Sequence, residues 1–123
     1  MTNVQSRPVD IYKRIDTFVV QVLFFLKQVP RTLENIEILK QVIRSTCSIG
    51  ANANEADGTL TRNEFLHSFS IARRGAKETL YWLKLLSKLN PQLSQKIAEL
   101  ISEDEQLVAI LSKIIQTSRN NQK

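Results

Sequence analysis

The chain has 123 residues, 42% of them hydrophobic and 24% charged, and its 17 Lys and Arg against 12 Asp and Glu give a net charge of +5. That length makes one domain, residues 1–123, large enough to bury a core without covalent staples. A single Cys and a single His exclude a disulfide scaffold and leave almost nothing for a Cys/His metal site, and three Gly with three Pro are too few for the tight turns of an all-β domain.

Pro30, Asp57-Gly58-Thr59 and Asn90-Pro91 divide the chain into four parts, and between them the apolar residues recur at helical spacing. The first predicted helix spans residues 9–28, with one seam through Ile11, Ile15, Phe18, Val22, Phe25 and Val29, while Val20 and Phe24 project from nearly the opposite side. The second spans residues 32–56 and has two apolar faces. One carries Ile36, Ile43, Cys47, Gly50 and Asn54, and places Cys47 as a small core residue; the other carries Ile38, Val42, Ile49, Ala53 and Ala56. Side chains from Ser45 to Ala56 are small and form helix poorly, so this stretch is either a loop or the place where another backbone comes close; the persistence of apolar residues on two faces favours the close approach.

The third helix, residues 62–89, has the clearest start: Thr61-Arg62-Asn63-Glu64 fits a capping box, and the seam is Phe65, Phe69, Ala72, Ala76, Leu80 and Leu83. The fourth, residues 91–117, begins with Asn90 as N-cap and Pro91 at the first helical position, and its seam is Leu93, Ile97, Leu100, Leu107, Leu111 and Ile114. Asp104 falls inside that seam. Either Ser102-Glu103-Asp104-Glu105 is a second capping box that breaks the helix, or Asp104 is buried and paired with a cation such as Arg44. Residues 1–7 and 118–123 are polar and expected to fray. Four amphipathic helices with short connections predict an all-α, antiparallel up-down-up-down bundle.

The most apolar run, residues 18–26, falls well short of the ~20 residues of a membrane span. Acids precede it, Lys27 ends it and no small-residue cleavage site follows, so it does not read as a signal peptide either; no membrane association and a cytoplasmic location are expected, in keeping with a lone Cys.

A monomeric bundle needs one apolar stripe per helix. The surplus residues Val20, Phe24, Ile38, Val42, Ile49 and Ala53 therefore predict an oligomer interface on the first two helices. Residues 58–90 hold six bases and two acids. Arg73, Lys77, Lys84 and Lys88 share one flank of the third helix, with Arg74 and Tyr81 beside it. Such a flank could neutralise several phosphates, with Tyr81 stacking on a base, or could serve only as solvated surface. Trp82, Leu85, Leu86 and Leu89 add an apolar patch at that helix's end, and His67 reads as polar coat. Arg44, Ser48, Asn52 and Glu55 lie together on the second helix and, with Glu78, suggest a polar network tying it to the third. Glu55 and Glu78 could in principle form a carboxylate pair, but there is no Glu-x-x-His element, no Gly-rich phosphate loop and no base for Cys47, so no catalytic residue, cofactor or metal is expected.

The stretch from Ile43 to Ala56, with the order Ser48-Ile49, Asn52, Glu55-Ala56, followed by Arg62, Phe65, Ile71-Ala72, Lys77-Glu78 and Tyr81-Trp82-Leu83, resembles the bacterial four helix bundle protein family encoded in intervening sequences of 23S ribosomal RNA genes. The resemblance covers residues 10–118, and departs from it where Ala56-Asp57 stand between Glu55 and Gly58. It implies an antiparallel four-helix bundle assembled as a homopentamer. More distantly the chain is similar to the accessory variability proteins of diversity-generating retroelements, basic bundles that bind nucleic acid and a reverse transcriptase. Two functions follow as expectations: a non-enzymatic oligomeric adaptor that binds RNA or DNA, or a module that recruits a protein such as a reverse transcriptase or other polymerase.

Overall fold

The computed structural model describes residues 10–121. These form four long helices, α1 (Ile11–Leu26), α2 (Leu33–Asp57), α3 (Arg62–Leu89) and α4 (Ser94–Asn120), with a single 3-10 turn at Pro91–Leu93 and no strand among the described residues. Each helix packs against its neighbours in sequence, and α1 closes the ring against α4, which is the up-down-up-down arrangement. No helix among the described residues is long and apolar enough to cross a membrane.

The boundaries follow local chemistry. Asp10 opens α1 by accepting from the Tyr12 and Lys13 amides at 3.0 and 3.3 Å; residue 9, where the predicted helix began, lies outside the described residues. α1 ends at Leu26 ahead of Pro30, and Arg31 donates to the carbonyl of Leu26 (3.2 Å), which also accepts from the Val29 amide, and to the carbonyl of Val29 (2.6 Å) in the connection. The Thr32 hydroxyl caps α2 through the Asn35 amide at 3.2 Å. Thr61 caps α3 as its sequence predicts, accepting from the Glu64 amide at 3.1 Å, while the Glu64 carboxylate returns to the amide of Leu60 (3.3 Å) rather than to that of Thr61. α4 runs to Asn120, so residues 118–120 are helical where fraying was expected.

Asn90 does not act as an N-cap. It is buried, and its amide pairs reciprocally with that of Asn35 at 2.8 and 3.0 Å. Asn35 also donates to the Pro30 carbonyl and Asn90 to the Leu86 carbonyl, so one amide pair clips the α1–α2 and α3–α4 connections together. Tertiary burial outweighs the capping preference because two amides can satisfy each other there and one cannot. Asn90→Ala strands the Asn35 amide and is expected to cost about 2–3 kcal/mol in urea unfolding.

The core seams of α1 and α3 match their patterns: Ile15, Phe18, Val22 and Phe25 on α1, and Phe69, Ala72, Ala76 and Leu83 on α3, are buried. Phe65 stacks on Phe69, whose ring meets that of Tyr12 edge-on. α2 corrects the sequence reading. Its core face is Ile38, Leu39, Val42, Ile49, Ala53 and Ala56, so Ile38, Val42, Ile49 and Ala53 belong to the interior of the monomer and not to an oligomer surface. Ile43 and Cys47, expected inside, are exposed. The face is chosen by α3. A Cβ on Gly75 would sit 2.9 Å from the Ser45 carbonyl oxygen and 3.2 Å from Ile49 Cγ1, so the two backbones touch where α2 turns Ser45 and Ile49 inward. That is the close approach the small side chains of α2 foretold.

Candidate nucleic-acid interface

On α3 the buried residues Ser68, Ala72, Gly75, Ala76, Thr79, Leu83 and Leu86 define the inner face. Opposite them Arg74, Lys77, Tyr81, Lys84 and Lys88 recur at alternating spacings of three and four, and all five are exposed. The row rises about 21 Å from Arg74 to Lys88, and the exposed Glu78, one turn from Arg74, is the acid beside it. Tyr81 is 59% exposed, its ring held edge-on against Trp82 at 4.9 Å between centroids. On the helix it stands one turn from Lys77 and one turn from Lys84.

Arg73 leaves this row. It is half-buried and its guanidinium turns toward α4, donating to the Ser112 hydroxyl at 3.4 Å. There it lines a cleft of about 290 Å³ with Ser112, Gln116, Arg119 and Asn120. Arg119 and Asn120 on the α4 side of that cleft fall in the stretch expected to fray, and Ser112 and Gln116 stand out in no apolar seam. The signal was present in the spacing of Ser112, Gln116 and Arg119, a polar row at helical intervals.

The polar network takes another form. Asn52 donates to the Ser48 carbonyl oxygen (2.9 Å) and hydroxyl (3.1 Å), both on α2, and Arg44 donates to Gln41, also on α2. Glu55 and Glu78 are exposed. The ties between α2 and α3 are hydroxyls: Ser45 meets Thr79 at 2.7 Å, Thr46 meets it at 3.3 Å, and Thr79 donates to the Gly75 carbonyl. These hydroxyls lie on the touching faces, while Ser48, Asn52 and Glu55 lie on a flank. With Ser45 level with Thr79 and Ile49 level with Gly75, Glu55 sits roughly 14 Å along the axis from Glu78, too far for a carboxylate pair. Glu55 instead lines an open cleft of about 580 Å³ at the α2–α3 turn, with Asn52, Glu64 and His67. Among the described residues no three His, Cys, Asp or Glu side chains gather as a metal cluster.

Val20 and Phe24 are 51% and 62% exposed and, with Leu23 and Lys27, line an apolar cleft of about 260 Å³ on α1. The Lys27 ammonium sits 4.7 Å above the Phe24 ring. Trp82 and Leu85 are half-buried against the core and Leu86 is inside it, leaving Leu89 as the exposed member of that patch.

The fold has counterparts. The profile of a family described as 23S rRNA-intervening sequence protein matches residues 7–113. A crystal structure of a protein of unknown function from the S23 ribosomal protein family of Bacteroides thetaiotaomicron superposes with a TM-score of 0.79 at 27% identity, covering 86% of this chain and 98% of that one. No curated protein matches the sequence. With 107 consecutive residues inside the family profile and the same four-helix architecture in the solved relative, the chain belongs to the 23S rRNA-intervening sequence protein family.

Proposed function

We propose that the protein is a non-enzymatic, homo-oligomeric adaptor, a pentamer by its family resemblance, that binds RNA or DNA along the exposed face of α3. The observation that carries this reading is the row Arg74, Lys77, Tyr81, Lys84 and Lys88, four cations and a tyrosine against the one neighbouring acid Glu78, which lies opposite the core face and is long enough to follow several phosphates. The oligomer contact falls to the apolar cleft of Val20, Leu23 and Phe24 on α1. The test is fluorescence anisotropy against labelled RNA and duplex DNA at two salt concentrations. Four phosphate contacts predict a fall in duplex affinity on the order of 100-fold between 50 and 200 mM salt. Replacing Lys77 and Lys84 by Glu is expected to weaken binding and lower the salt slope by about two. Unchanged affinity in that variant removes α3 from the site.

A second reading, recruitment of a protein such as a reverse transcriptase or other polymerase, is favoured by the same α1 cleft if no second copy covers it. A monomeric mass in light scattering, with a pull-down that survives nuclease, would select it.

A further inference from the structure

Resting on the reading above, we infer that the cleft between α3 and α4 takes a phosphate monoester, the terminal phosphate of the strand that lies on the α3 row. Two guanidiniums, Arg73 and Arg119, line one cleft of about 290 Å³ together with the Ser112 hydroxyl and the Gln116 and Asn120 amides, and among the described residues no carboxylate lines it. Arg73 spends one donor on Ser112. A guanidinium offers five. The contrast with Arg14 is instructive. At the α1–α4 seam Arg14 meets Glu103 through two hydrogen bonds of 2.7 and 2.9 Å and Gln106 through a third. At the α3–α4 seam the arginine meets, among the described residues, a serine and no carboxylate, and a second arginine shares its cleft. Two positive groups brought together without a counter-charge are a site for a dianion.

The charge favours a monoester over the internal diester links of a strand. A monoester carries close to two negative charges near neutral pH, whereas a diester carries one. Size agrees: the cleft exceeds a phosphate group and lies just below the roughly 300–1,000 Å³ of small-molecule pockets. Position agrees as well, since Arg73 is the neighbour of Arg74 and one turn from Lys77, so a strand on the α3 row runs into the cleft at that end. The carbonyl end of α4 opposes an anion there, but it amounts to about half a charge against two full ones.

The experiment compares a short single-stranded RNA carrying a 5′-phosphate, a 3′-phosphate or hydroxyls at both ends, by anisotropy with wild type, Arg119→Gln and the Lys77→Glu/Lys84→Glu double variant. One of the phosphorylated strands is expected to bind about tenfold more tightly than the hydroxyl strand, the effect of one or two charge-assisted hydrogen bonds. Arg119→Gln is expected to erase that difference while leaving the hydroxyl strand's affinity nearly unchanged. The double variant is expected to weaken all three strands and keep their ratio. Equal affinities for the three strands in a wild-type protein that binds RNA would overturn the cleft and leave the α3 row standing. If no strand binds, the α3 reading fails, and amide chemical shifts during titration with a nucleoside monophosphate decide the cleft alone. Shifts centred on residues 112–120 and lost in Arg119→Gln support it, and their absence overturns it.

Discussion

Asp104→Asn is expected to make the protein about 2–4 kcal/mol more stable than wild type at pH 8, and to give no advantage at pH 4. Asp104 is fully buried on the α4 seam between Leu100 and Leu107, and neither carboxylate oxygen has a hydrogen-bond partner. Burial, then the charges of Glu105 and Glu103, push its carboxyl from the ordinary 3.8 up to about 8. The arginine of α1 at the α1–α4 seam, Arg14, is engaged by Glu103 and Gln106, and Arg44, the partner its sequence suggested, is exposed on α2 and bound to Gln41.

The sign follows from which state holds the proton. The folded state keeps it up to about pH 8 and the unfolded chain releases it near 3.8, so this group's contribution to stability is complete below pH 4. It is lost progressively as pH rises toward 8 and stays lost above that. An asparagine does not titrate, so the difference between the two proteins isolates Asp104 from the other acids. Urea unfolding of both from pH 4 to 9 measures it; parallel curves would show that Asp104 gains a partner in solution.

Gly75→Ala is expected to destabilise the bundle by about 1–3 kcal/mol, although alanine is the better helix former. The new methyl would lie 2.9 Å from a backbone carbonyl of α2 and 3.3 Å from the Ile49 amide nitrogen, so relief requires the two helices to move apart. Moving them also stretches the Ser45–Thr79 hydrogen bond of 2.7 Å. Gly50→Ala is the control. Its methyl would meet Val19 at 3.5 Å, ordinary contact, and no glycine among the described residues has a positive φ. That substitution is expected to stabilise by about 0.5–1 kcal/mol. Thermal unfolding that shifts in the same direction for both variants would refute the close approach at Gly75.

The candidate site was only partly legible in the sequence. Lys77, Lys84 and Lys88 share a flank by spacing alone, and that flank is exposed because Phe69, Ala72, Ala76 and Leu83 on the other side of α3 are buried. Arg73 was placed with them, since a helical wheel gives direction but not what stands there. Only the position of α4, with Ser112 beside it, turns Arg73 out of the row and into the cleft with Arg119.

Local chemistry in the sequence by itself determined four helices, their order, the breaks at Pro30, Gly58 and Pro91, and the cap at Thr61, because capping, proline and helical period act within a few residues. For Ser45–Ala56 it left a loop or a close approach of another backbone, with the two apolar faces favouring the approach. Tertiary structure alone decided which apolar face of α2 is the core. Both faces repeat at helical spacing, and the choice lies with Gly75 on another helix, whose missing side chain admits Ser45 and Ile49. Tertiary structure also took Asn90 from a cap into an amide pair with Asn35, and it kept Asp104 inside an unbroken α4 with no hydrogen-bond partner among the described residues. Both depend on residues distant in the chain and adjacent in space, which a helical period does not record.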